Sequence, residues 1–218
     1  MPKKDFMRSR PKGVNPASAL LSSLLKISQA IDNFIDKLDF LLNWLVLLAV
    51  GIGFYNVMAR YLGRFIGVKL SSNALIELQW YLFSILFLLG FAYILKHGDN
   101  VRVDFFYSRL NERQRSLIDF LGTVLFLIPF CLIGLWVTFN PVLNSWGRLP
   151  DGSWGTWEIS GDANGLPRAP IKTMIPIGLI LLLLQSISQA IKYLAVLLGF
   201  QQVAEQIRLE TSDHTNIE

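Results

Sequence analysis

An all-α integral membrane protein, with four transmembrane helices preceded by an amphipathic interfacial helix, is the fold class this sequence predicts. Three observations predict it. The chain of 218 residues is 52% hydrophobic and only 17% charged, against about 25% charged in typical soluble domains, and its mean hydropathy is +0.43. Four apolar runs come near the roughly 20 residues needed to cross a hydrocarbon core of about 30 Å. Lys and Arg are divided unevenly among the segments between those runs, as the positive-inside rule expects.

Residues 1–19 read as a cytoplasmic tail. The first sixteen, MPKKDFMRSRPKGVNP, are basic and polar and have neither the apolar core nor the small-residue cleavage site of a signal peptide. The membrane domain is expected over 20–200. It opens with an amphipathic stretch at 20–38, where Leu20, Leu24, Ile27, Ile31, Phe34, Ile35 and Leu38 fall on one face at helical spacing. Ser28, Gln29, Asp32, Asn33, Asp36 and Lys37 fill most of the other positions. Such a helix can lie in the headgroup region, apolar side down, or pack on a partner protein.

The four spans are expected at about 40–58, 77–95, 117–139 and 171–191. Span one holds no charge but carries Asn43 and Asn56, polar groups that suit helix–helix hydrogen bonds. Its end places Arg60 and Tyr61 as interfacial anchors. Glu77 opens span two, and Leu78 to Leu95 is then uncharged up to Lys96-His97-Gly98. A short link joins these two spans, so Arg60 and Glu77 read as an ion pair across the hairpin. Pro129 and Gly134 should bend span three. Asp119 stands at its start, where a helix dipole favours a carboxylate. Span four is flanked by Lys172 and Lys192, which can snorkel. Gln185, Ser186, Ser188 and Gln189 cluster near its end and read as contacts to another helix, in this chain or in a partner.

With the N-terminus inside, fourteen Lys and Arg face the cytoplasm and six face outward. Both termini, including the tail 201–218, are therefore expected in the cytoplasm and the loop 140–170 outside. That loop carries Trp146, Trp154 and Trp157, so it should lie flat on the outer surface, or dock a soluble partner.

Composition and motifs also exclude functions. The net charge of +4 marks cytoplasmic loops rather than a nucleic-acid partner. A bis-histidine haem needs facing histidines inside the bundle, and only His97 and His214 exist. Ser84 lies mid-span without a base to activate it. Cys131 is the sole cysteine, and Gly161, Gly165 and Gly178 are too scattered to cradle phosphate. No enzyme and no cofactor is expected. Ionisable groups at membrane depth mark ion paths, and these spans hold almost none. The residues alone describe a subunit of something larger, with a small autonomous carrier as a rival.

Asn56-Val57 with Arg60-Tyr61, Ser71 and Glu77 before the second span, and Val101-Arg102-Val103-Asp104 after it resemble the small permease subunit (DctQ family) of tripartite ATP-independent periplasmic (TRAP) transporters. LQWYLF at 78–83, which contains Trp80, and FLLGFAYILKH at 87–97 are similar to a longer branch of that family. The same holds for Ser145-Trp146, Gly165-Leu166-Pro167 and Ile171-Lys172. That branch is the mannitol/chloroaromatic or 2-oxo acid type. The resemblance runs from Ile31 to Lys192. It departs at Asn100, where the family usually has His, and in a longer segment Gly147 to Trp157.

The resemblance implies two partners, a large multi-span permease subunit and a periplasmic solute-binding protein. It implies sodium-driven symport of a carboxylate-bearing solute in the bacterial inner membrane, with the solute and sodium sites in the large subunit. This chain would be the scaffold. An accessory anchor for another carrier or enzyme complex is the alternative. Asn56, Arg60, Glu77, Trp80, Arg102, Asp104, Gln185 and Ser188 are the residues expected to carry structure or subunit contact.

Overall fold

The computed structural model describes residues 16–98 and 110–199. Residues 1–15 and 201–218 of the two expected tails, and Asn100, Arg102 and Asp104, lie outside the described residues, while 16–19 belong to the first helix. Helix α1 spans Pro16–Ile66 and α2 spans Asn73–His97. A third rod follows in three pieces: α3 (Glu112–Gly122), a π-helical turn (Thr123–Leu127) and α4 (Ile128–Ser145). Helix α5 spans Arg168–Leu197. Four helical stretches are thus long and apolar enough to cross a membrane, and no β-strand occurs among the described residues.

The local signals explain most of the boundaries. Ser72 caps α2, its hydroxyl accepting from the Leu75 N–H. Gly98 ends that helix in the left-handed region (φ 73°), donating its N–H to the Ile94 carbonyl. In the third rod the expected bend is a change of hydrogen-bond register. Pro129 has no N–H and its ring would strike the carbonyl four residues back. Immediately before it, the Ile128 N–H reaches back five residues to Thr123 O, which relieves that clash.

The amphipathic stretch and the first span are not separate elements. No Gly or Pro lies between Pro16 and Gly51, so nothing breaks the helix at Asp39, and α1 runs unbroken for 51 residues. At about 1.5 Å per residue it is roughly 76 Å long, more than twice a hydrocarbon core. The expected apolar face divides between two surroundings. Leu20, Leu24, Ile27 and Phe34 point outward, while Ile35 of the same face is buried and Ile31 and Leu38 pack on the core. Ser28 and Asp32, from the polar side, are buried against the other helices, where polar groups find partners.

Helix α5 is the hub and packs on α1, α2, α3 and α4. Two glycines allow close approach. A Cβ on Gly178 would stand 2.9 Å from the Leu88 carbonyl oxygen of α2, and one on Gly134 would stand 3.0 Å from Leu179. The apolar core between α1, α2 and α5 is small, centred on Ile35, Leu42, Leu89, Ala92 and Leu181.

Candidate functional site: polar clasps at both ends of the central helix

Hydrogen bonds and ion pairs concentrate at the two ends of α5. At its C-terminal end, Asp32 of α1 is the focus. It pairs with Lys192 at 2.8 Å, each side chain 9% exposed. It also accepts from Gln185 Nε2 at 3.1 Å and from Ser188 Oγ at 2.9 Å. The Ser28 and Ser188 hydroxyls bond each other at 2.7 Å. Lys96 of α2 joins from the third side, donating to the Asp32 carbonyl and pairing with the Asp36 carboxylate. Gln189 in turn donates to the Lys96 carbonyl at 3.2 Å. Three helices thus share one buried network, in which each charge has an opposite partner.

The N-terminal end of α5 is tied to the loop that precedes it. Glu77 of α2 is buried and accepts from the Ser160 hydroxyl and from the Leu166 N–H. Gly165 must be glycine here, because a Cβ would lie 2.4 Å from Ser160 Cβ. Tyr81 donates to the Pro167 carbonyl at 3.2 Å, and Asn73 to that of Ala163 at 3.1 Å. A second knot joins Glu158 to Lys172 at 2.5 Å and to the Ser145 hydroxyl at 2.7 Å. Trp146 donates to Thr173 Oγ1 at 2.8 Å and its ring stands 5.9 Å from that of Trp157. The loop is therefore a fitted plug between α2, α4 and α5.

The Lys172 ammonium, followed by the Ser145 hydroxyl, holds the Glu158 carboxyl below its ordinary range. A carboxylate depressed in the folded state contributes stability that is complete above its unfolded value and is lost as pH falls through the folded one. Acidification from pH 7 to below the usual carboxylate range should therefore loosen the Trp146–Trp157 region, read as a change in tryptophan emission. Glu158→Gln should remove that transition.

The structure redistributes the expected residues. Gln185 and Ser188 are fully buried and bond to Asp32 in α1 of this chain, with Gln185 Oε1 left without a partner among the described residues. Asn56 is buried and accepts from the Ser71 hydroxyl at 3.3 Å, again within the chain. Arg60 is exposed, and Glu77 is taken by Ser160 and Leu166. The expected Arg60–Glu77 pair is replaced, because the returning loop offers hydrogen bonds nearer to the carboxylate. Trp80 is 43% exposed and lines a groove beside α5. Asp32, Lys96, Lys192 and Ser160 had not been singled out as a site, although an acid recurring on the polar side of an amphipathic helix was the available signal for Asp32.

Among the described residues no group of His, Cys, Asp and Glu is placed to hold a metal ion. Ser84, the mid-span hydroxyl, donates to the Trp80 carbonyl of its own helix. What the arrangement does is fasten helices. No curated protein and no solved structure matches this chain. A family model does, over residues 49–196, described as "Tripartite ATP-independent periplasmic transporters, DctQ component". That stretch holds the last third of α1, all of α2 to α4 and nearly all of α5. The polar-clasped, four-helix membrane protein described here belongs to the DctQ family, and is a small membrane subunit of TRAP transporters.

Proposed function

We propose that this chain is the fixed scaffold of its transporter, bracing a large permease subunit without contacting the solute. One observation carries the reading. Asp32, Lys96, Lys192 and Ser188 at one end of α5 and Glu77, Glu158, Lys172 and Ser160 at the other are tied to one another or to neighbouring backbone, so they fasten helices and form no row of ionisable groups along the spans. A carboxylate solute or a sodium ion at membrane depth needs such a row. On this reading both sites belong to the large subunit, a periplasmic binding protein delivers the solute, and the sodium gradient drives uptake. The chain sits in the bacterial inner membrane with both termini cytoplasmic and the loop 140–170 periplasmic.

The experiment is reconstitution. The chain and the large subunit are purified alone and together, then placed in liposomes with the binding protein and a sodium gradient. Uptake is expected only from the pair, and the small subunit alone should bind no solute. Specific solute binding by the isolated chain would contradict the scaffold reading. Orientation has its own check: a cysteine at Ser153, in a chain carrying Cys131→Ser, should react with an impermeant thiol reagent in intact cells. Protection there, with reaction after permeabilisation, would invert the topology.

A further inference from the structure

The two clasps set a depth scale. Glu77 and Lys96 lie nineteen residues apart on α2, and Lys172 and Lys192 twenty apart on α5. At about 1.5 Å per residue these are roughly 29 and 30 Å, the thickness of a hydrocarbon core. Ser145, the last residue of α4, is bonded to Glu158, which pairs with Lys172. It therefore marks the same edge on the third rod. Asn140 and Trp136 then lie roughly 8 and 14 Å inside that edge, Trp136 near the middle of the core.

Both side chains point away from the bundle. Cys131, Val142 and Ser145 are buried and Gly134 meets Leu179 of α5, so they define the inner face of α4. At about 100° per residue, Trp136 and Asn140 fall on the opposite side. Both are exposed, Trp136 by 79%. Neither the Asn140 amide nor the Trp136 indole N–H has a hydrogen-bond partner among the described residues. Asn43, an exposed amide on α1, by contrast donates to Asp39 of its own helix at 3.4 Å. Pro141 adds to the deficit, since it brings no N–H to the Val137 carbonyl.

We propose that this outward face of α4 receives a membrane helix of the large permease subunit, which brings an acceptor for Trp136 and a polar side chain opposite Asn140. Lipid tails offer no hydrogen bonds, so an amide and an indole N–H at this depth need protein. Tryptophan facing lipid favours the headgroup level rather than the midplane, whereas it is enriched in protein interfaces. A second copy of this chain fits less well. A twofold axis along the membrane normal brings equal depths together. Trp136 would then face Trp136, and an indole only donates. This docking face rests on the proposed pairing with a large subunit and gives that pairing its surface.

The test is co-purification of the full-length chain with the large subunit, followed by photo-cross-linking in membranes. The parent chain should retain the large subunit. Trp136→Leu with Asn140→Leu makes the face wholly apolar and should lower that retention at least fivefold. Helix content and melting temperature of the isolated chain should stay unchanged, because neither side chain is bonded within the bundle. A photoreactive benzophenone placed at Trp136 should cross-link to the large subunit. Equal retention by parent and double variant would overturn the proposal, as would an adduct with lipid only or with a second copy of this chain. Those outcomes leave the scaffold reading standing, since the parent pair still forms. A parent chain that retains no large subunit would overturn both.

Discussion

Asp32→Ala should release α1 from the bundle. The substitution strands Lys192, whose side chain is 9% exposed, and removes the acceptor of Gln185 and Ser188. Breaking a buried pair by deleting one partner costs about 3–5 kcal/mol, because the other charge stays uncompensated. In a denaturant titration of the purified chain, the variant should unfold where the parent remains folded. Asp32→Asn keeps an acceptor for Gln185 and Ser188, so it should fall between the two. The double variant Asp32→Leu with Lys192→Leu removes both charges together and should recover much of the loss. If Asp32→Ala unfolds with the parent, the network is not what holds α1.

Gly178→Leu is expected to have the second largest effect. The new Cβ would sit 2.9 Å from a backbone oxygen of α2, which cannot rotate away as a side chain can. Helices α2 and α5 would have to separate, an overpacking of about 1–3 kcal/mol, and the Gln189 bond to Lys96 would be pulled open. Gly90→Leu is the control, because a Cβ there meets nothing within 4 Å. It should leave the folding of the isolated chain unchanged. Any loss of assembly with the large subunit in Gly90→Leu would mark that open face of α2 as part of the contact. Equal destabilisation by both glycine variants would mean that the close approach at Gly178 is not specific.

These two sites were legible in the sequence to different degrees. The spans were readable from apolar length alone, since length against bilayer thickness is a one-dimensional test. Gln185 and Ser188 could be recognised as helix contacts, because polar groups in a span need partners. Their partner Asp32 lies more than 150 residues away, and no local spacing encodes that. The pattern at 20–38 showed which residues share a face but not which neighbours each would meet: Leu20, Leu24, Ile27 and Phe34 turn outward, while Ile35 and the polar Ser28 and Asp32 pack inside the chain. Glu77 stood out as an acid at the head of a span. Its partners, Ser160 and the Leu166 N–H, sit in an irregular loop where no periodicity could point to them. Gly178 and Gly90 look alike in sequence, and only the crossing of α2 and α5 tells them apart.

The central claim is that this subunit stays rigid while its partner moves. Ser28 and Ser188 allow it to be tested directly, because their hydroxyls meet at 2.7 Å between α1 and α5, close enough for a cysteine pair to bridge. In a chain carrying Cys131→Ser, Ser28→Cys and Ser188→Cys, sodium-driven uptake by the reconstituted complex is measured oxidised and then reduced. Uptake should be the same within twofold in the two states, since a disulfide there locks helices that are not expected to move. Uptake abolished by oxidation and restored by reduction would contradict the account, because it would show that α1 and α5 shift against each other during transport.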